Sequence, residues 1–288
     1  MIQPRRRHWG AVILALLVSI GCKPAPPATA PAQGAVASMS PAFTEMILAM
    51  GAGDRLAAVS NFEPRRAATD ALPRVGDYRT VDWEKLSQIR PTLILTQYRP
   101  DKMPDGLVDR ARGLGAAVVN IDIDTLDDVE KAIRAIGAAM NLTDAADATA
   151  AAFRRDLEAL RRASAGRERV RALVAIGPTG LSAAGPGNFV DELLSIAGGQ
   201  NVLDSGPDYP TLDRERLIEL DPAVIIQLMP AAEPQDLAQA DQFWRQMATL
   251  SAVRHGRVVR ITDADALLPA TNAPRVARRI HEALHPSK

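Results

Sequence analysis

An internal repeat restricts how this chain can fold more than any other feature. Tyr78 through Gln97 reads Y-R-T-V-D-W-E-K-L-S-Q-I-R-P-T-L-I-L-T-Q, Tyr209 through Leu228 reads Y-P-T-L-D-R-E-R-L-I-E-L-D-P-A-V-I-I-Q-L, and the two align without a gap. Tyr78/Tyr209, Thr80/Thr211, Asp82/Asp213, Glu84/Glu215, Leu86/Leu217, Pro91/Pro222 and Ile94/Ile225 are identical pairs. In each copy an Asp stands where it can accept the free N–H groups of a helix start, and a Glu falls in the first turn. Pro then closes a short helix, and an apolar run follows as a buried strand. A weaker pairing sets Phe43-Thr44-Glu45 to Gly53 beside Phe189-Val190-Asp191 to Gly199, each an amphipathic helix ending in Gly. Such a chain folds as two related α/β lobes.

The rest of the pattern agrees. Short β-branched runs alternate with helical periodicity, as in βα units around a mainly parallel sheet. Strands are predicted at Ala35–Met39, Leu56–Ser60, Thr92–Gln97, Ala116–Ile121, Arg171–Ile176, Ala223–Leu228 and Arg257–Thr262. Between the fourth and fifth, Thr143 to Ser164 contains no Gly or Pro and spaces Phe153, Leu157 and Leu160 along one helical face. Asp144 and Asp147 near its start and Arg161 and Arg162 near its end complement the helix dipole. At 1.5 Å per residue this helix is about 33 Å long, the width of a small domain. The expected organisation is a first lobe over 35–142, a connecting helix over 143–165 and a second lobe over 166–288.

The first residues read as an address. Arg5, Arg6 and Arg7 precede an apolar run from Trp9 to Ile20 that is short for a membrane span, so 1–21 is expected to be a secretory signal peptide. Cys22, the single cysteine, follows in the string V-S-I-G-C. That string resembles a bacterial lipoprotein signal, in which the Cys becomes the lipidated N-terminus. Ser19 departs from the usual Leu or Val, and ordinary cleavage nearby, leaving a free Cys, is the alternative. The rest of a twin-arginine motif is absent. Residues 22–34, with Pro24, Pro26, Pro27 and Pro31, cannot build a core and are expected to form an extended tether.

Composition excludes several classes. The 47% hydrophobic and 24% charged residues are those of a folded chain rather than a disordered one. Basic and acidic residues balance at 34 each, and loss of the leader leaves 31 against 34, a net charge of −3. That is no footprint for nucleic acid. One Cys also excludes internal disulfides and paired-cysteine metal sites.

Four segments carry a family resemblance: S-P-A-F-T-E-M-I-L-A-M-G from Ser40, V-G-D-Y-R-T-V-D-W-E-K-L from Val75, F-V-D-E-L-L-S-I-A-G-G-Q-N-V from Phe189, and W-R-Q-M-A-T-L-S-A-V-R-H-G-R-V from Trp244. Together they resemble the substrate-binding proteins of bacterial ABC importers for cobalamin, ferric siderophores and haem, over nearly all of the chain after the tether. The resemblance implies an α/β fold of two Rossmann-like lobes with mainly parallel sheets, bridged by one long rigid helix, with the ligand cleft between them. It implies capture of a chelated-metal ligand and delivery to an ABC permease and its ATPase. The protein would work as a monomer without a resident cofactor, lipid-anchored in the periplasm or on the outer face of the cytoplasmic membrane. One exposed Glu per lobe docks on the permease in that family, and Glu84 and Glu215 match.

The aromatic residues point to the cleft. All three tyrosines, Tyr78, Tyr98 and Tyr209, fall just before a repeat helix or just after a strand, and Phe62 follows a strand. In an open α/β sheet, ligands sit outside the carboxyl ends of strands. Family contact positions match Phe62, Tyr78, Tyr98 and Tyr209. Cobalamin receptors tend to carry Trp where this chain has Tyr, yet the segment around Tyr78 and Asp82 most resembles theirs. Cobalamin is therefore the expected ligand, with a ferric siderophore close behind and haem as an alternative. Arg65, Arg66, Arg79, Arg99 and Arg214 cluster near these loops, either as solvated rim charges or, as Arg79 is placed here, in contact with an anionic ligand.

Enzyme readings find little support. His281-Glu282-Ala283-Leu284-His285 has the H-E-x-x-H spacing of a zinc hydrolase, but Pro286 follows at once and no third ligand lies downstream. An amphipathic terminal helix accounts for it. Gly177 to Gly187 follows a strand but has neither G-x-G-x-x-G nor a Lys followed by Ser or Thr, and reads as a cleft-side loop. No G-x-S-x-G elbow exists. An envelope enzyme on this fold and a sensing or scaffolding lipoprotein are the remaining alternatives.

Overall fold

A computed structural model describes residues 34–286. The leader, Cys22 and the tether as far as residue 33 lie outside the described residues. The first lobe is a five-stranded parallel sheet of β1 (Val36–Ser38), β2 (Leu56–Ser60), β3 (Arg74–Gly76), β4 (Leu93–Thr96) and β5 (Ala117–Asn120), in the order β3-β2-β1-β4-β5. Helices α1 (Pro41–Ala49), α2 (Trp83–Ile89) and α3 (Leu107–Gly113) connect its strands, and α4 (Leu126–Ala139) leaves its last one. With helices on both faces, β1 and β4 are buried along their whole length.

Helix α5 (Thr143–Ser164) then crosses to the second lobe, burying Ala146, Ala150, Phe153, Leu157 and Leu160 along one stripe. That lobe contains β6 (Val170–Ile176), β7 (Ser182–Ala183), α6 (Phe189–Ile196), β8 (Gly199–Asn201), α7 (Arg214–Leu220) and β9 (Val224–Leu228). It ends with α8 (Pro234–Gln246), α9 (Ser251–Arg254), β10 (Val258–Ile261) and α10 (Ala273–Leu284). Its sheet runs β10-β9-β6, and one edge of β6 is shared between β8, parallel to its first half, and β7, antiparallel to its end. All seven predicted strands are present. The three not predicted, β3, β7 and β8, are two or three residues long, too short for a period-2 pattern to register.

One apolar core spans both lobes. It joins α1 and α4 of the first lobe, the buried stripe of α5, and α6 and α10 of the second. Each lobe has a further core on its outer face, Leu86 with Ile94 and Ala111 in the first, Leu217 with Ile225 and Trp244 in the second. Truncating Phe153, buried on the α5 stripe of the shared core, is expected to cost about 3 kcal/mol. Two hydrogen bonds tie the lobes directly: Phe189 N–H donates to the Asp124 carbonyl (2.7 Å), and Leu126 N–H, at the start of α4, donates to Glu192 Oε2 (2.6 Å). Core and bonds together resist large hinge motion. No helix among the described residues is long and apolar enough to cross a membrane.

Candidate functional site

The two repeat copies fold alike from their helix starts onward. Asp82 accepts the Lys85 N–H (3.0 Å) and Asp213 the Arg216 N–H (2.7 Å), so α2 and α7 begin with the same cap and each runs seven residues. Each closes on a non-glycine residue in the left-handed region, Arg90 (φ 52°) and Asp221 (φ 34°), before the shared Pro. Glu84 and Glu215 sit exposed in the first turns, and neither makes an ion pair among the described residues.

Just upstream, the copies diverge. Both carry Asp-Tyr, as Asp77-Tyr78 and Asp208-Tyr209. In the first lobe Asp77 is buried, and its carboxylate accepts from the Arg79 N–H (2.7 Å), the Thr80 N–H (2.9 Å) and Asn61 Nδ2 (2.9 Å). Burial works to raise its carboxyl, but these hydrogen bonds outweigh that and hold it below the ordinary carboxylate range. A side chain on Gly76 (φ 149°) would place a Cβ 2.5 Å from the Thr80 carbonyl, so only glycine admits this tight loop. In the second lobe the turn is held through the Asp208 carbonyl instead. The Asp208 carbonyl accepts from the Gly185 N–H (2.8 Å) and Asn188 Nδ2 (2.6 Å), leaving its carboxylate exposed. Gly185 is required because a Cβ there would meet the Pro207 carbonyl at 2.1 Å.

These loops present the aromatic side chains at the carboxyl ends of the strands. Tyr78 is 61% exposed and stacks on Phe62, itself 55% exposed, with ring centroids 5.6 Å apart and planes 22° apart. Arg74 Nη1 fixes the Phe62 loop by donating to the carbonyls of Ser60, Asn61 and Glu63 at 2.9 to 3.1 Å. The pair forms one wall of a cavity of about 360 Å³ whose polar lining includes Ser40, Gln97 and Asp122, and which Leu268 of the second lobe closes. Burial and the neighbouring Asp124 push the Asp122 carboxyl above its ordinary range, against the pull of Arg99. Tyr209 is 52% exposed, yet burial around its hydroxyl, then the Asp208 and Asp124 carboxylates, push its phenol up to about 12. Asp124 belongs to the first lobe, so Tyr209 reaches toward the line where the lobes meet.

Other candidates sit elsewhere. Tyr98 departs from the expectation: it is 3% exposed, and its hydroxyl donates to the Asp77 carbonyl (3.0 Å). A ring that props the Tyr78 loop from beneath offers no face to a ligand. The arginines do not act as a group either. Arg66 pairs with Glu45 and with buried Glu63, and Arg214 donates to Gln246 (2.7 Å) with its guanidinium over the Phe243 ring. Arg65, Arg79 and Arg99 are exposed, and none lines the cavity. His281 is spent on structure, its Nδ1 lying 2.9 Å from the Ala197 carbonyl. Among the described residues no group of three or more His, Cys, Asp or Glu is placed to hold a metal. A larger groove of about 440 Å³ on α4, α5 and α6 lies off the strand ends and is lined by charges already paired, such as Glu130 with Arg154. Gln97 and Asp122 were not legible in the sequence. Their only sign was a place at the carboxyl end of a predicted strand, Gln97 as its last residue and Asp122 one residue beyond.

Comparison with known proteins finds relatives of this fold. A family model described as periplasmic binding protein matches residues 36–264. A vitamin B12-binding protein of Vibrio cholerae is 27% identical over 224 residues, covering 77% of this chain and 79% of the relative. Among solved structures, the periplasmic vitamin B12 binding protein of Vibrio cholerae superposes with a TM-score of 0.72 at 26% identity, covering 86% of this chain and 95% of the other. A periplasmic haem-binding protein in complex with two haems gives 0.73 at 26% identity, covering 86% and 98%.

Proposed function

The chain belongs to the periplasmic binding protein family, and from that premise we propose that it captures a corrinoid of the vitamin B12 type outside the cytoplasm and hands it to an ABC permease. The observation that carries the ligand choice is the stacked Phe62–Tyr78 wall beside a cavity with hydroxyl, amide and carboxylate groups and no Lys or Arg in its lining. Two rings with few rotors offer a flat macrocycle a large contact at low entropic cost. An anionic ferric siderophore or the propionates of haem call for cations; Arg66 and Arg214 are already engaged, and the exposed Arg65, Arg79 and Arg99 lie outside the cavity lining. The vitamin B12-binding relatives support the same choice. Haem is the second reading, favoured by the similar structure that holds two of them.

In this reading Glu84 and Glu215 dock on the permease, Cys22 carries a lipid anchor, and the chain acts as a monomer. The support for docking is one exposed, unpaired carboxylate at the same place in each lobe. Replacing both with Gln is expected to abolish corrinoid uptake by cells while leaving the affinity of the purified protein nearly unchanged, since rim charges govern association with a partner. Undiminished uptake would remove the docking role, and a parallel loss of affinity would place the two residues in the cleft.

A further inference from the structure

The floor of the cavity at the strand ends carries a matched donor and acceptor. Ser40 caps α1 by accepting the Ala42 N–H (3.2 Å), so its own hydroxyl proton needs an acceptor, and Gln97 Oε1 takes it at 2.6 Å. With Oε1 engaged by Ser40, Nε2 is the free end of the Gln97 amide. Its Nε2 hydrogens have no partner among the described residues, and Gln97 lines the cavity. Asp122 lines the same cavity; its partner is the Ile123 N–H, Arg99 acts on its charge from outside the lining, and no described side chain donates to it. One wall group thus has two unused donors and another has only acceptors. A primary carboxamide is complementary to both, its carbonyl accepting from Gln97 and its NH2 donating to Asp122. A carboxylate on the same arm could accept from Gln97 but would confront Asp122 with a like charge.

We propose that Gln97 and Asp122 form a carboxamide subsite, so that the cleft selects macrocycles bearing amide arms over those bearing carboxylate arms. This rests on the corrinoid reading above and adds to it the residues that set the selection. The test is calorimetry on the full chain with cyanocobalamin and with its three derivatives in which one propionamide is hydrolysed to propionate. At least one derivative is expected to bind the wild type tenfold or more weakly than cyanocobalamin, because a site built around paired polar groups rejects an analogue that leaves one opposed. Asp122→Asn should recover most of that loss, and Gln97→Leu should weaken cyanocobalamin without restoring the derivative. Uniform binding of all four ligands by the wild type, or a discrimination that Asp122→Asn leaves intact, overturns the subsite while leaving the corrinoid reading in place. Absence of cyanocobalamin binding to the wild type overturns both.

Discussion

The same Asp-Tyr dipeptide stands before the repeat helix of each lobe, and the two lobes use it in opposite ways. In the first, Asp77 is turned inward as the bracket of its own loop, with Tyr98 bonded to its carbonyl from below, so Tyr78 is set rigidly against Phe62. In the second, the backbone around Gly185 and the Asn188 side chain hold the loop, and Asp208 is left beside Tyr209 as an exposed charge. The repeat provides one local motif. Its flanking residues, Gly76 and Arg79 in one copy and Pro207 and Pro210 in the other, and what packs beneath it decide whether the carboxylate stabilises the fold or stands exposed at the site.

Asp77→Ala should therefore strip three hydrogen bonds from a buried loop and destabilise the protein by about 2–3 kcal/mol, read as a shift in denaturant midpoint. Asp208→Ala should stay within about 0.5 kcal/mol of wild type. Equal losses would erase the contrast. Its pH dependence has a definite sign. Because the folded-state pKa of Asp77 is depressed, its contribution is present above the unfolded value, near 3.8, and is lost as pH falls through the folded value. Wild type and Asp77→Ala should accordingly converge in stability at strongly acidic pH.

On binding, Tyr78→Ala and Tyr209→Ala should each weaken the corrinoid by about thirtyfold, the cost of a central aromatic anchor. Both side chains are more than half exposed, so stability should fall far less than at a core position. A loss confined to Tyr78 would show that the first lobe's stacked wall carries the ligand alone.

The finest contrast lies at the helix ends. Arg90 and Asp221 adopt the same left-handed conformation, but only Asp221 also caps a neighbour, accepting from Ser251 N–H (2.7 Å) and Oγ (2.6 Å) at the start of α9. Arg90→Gly should stabilise by about 0.5 kcal/mol through relief of backbone strain, less glycine's added entropy. Asp221→Gly should destabilise by about 0.5–1 kcal/mol because the lost cap outweighs that relief. Changes of the same sign would mean that the two ends are equivalent after all.

Much of the architecture is legible in the sequence, because periodicity and capping are local. The Gly- and Pro-free run from Thr143, the caps at Asp82 and Asp213, and the buried β4 and β9 all follow from residues within a turn or two of one another. The strands β3, β7 and β8 escaped because two or three residues, some of them glycine, acquire strand character only from the neighbour they pair with. The fate of Tyr98 escaped for a similar reason. Its loop position suggested a cleft face, and only the packing of the Asp77 loop, 21 residues away in sequence, turns the ring inward. Asp77 and Asp208 do differ locally: the N–H that Arg79 donates to Asp77 is missing at the matching Pro210, and Gly76 is matched by Pro207.

The most direct measurement is a calorimetric titration of the full chain with cyanocobalamin, haemin and a ferric catecholate siderophore at low and at high salt. The expected result is saturable binding of one cyanocobalamin per chain, almost independent of salt because the ligand carries no net charge for the rim arginines to meet. Salt-sensitive binding of haemin or the ferric siderophore with no heat from cyanocobalamin, or no binding of any of the three, would contradict it.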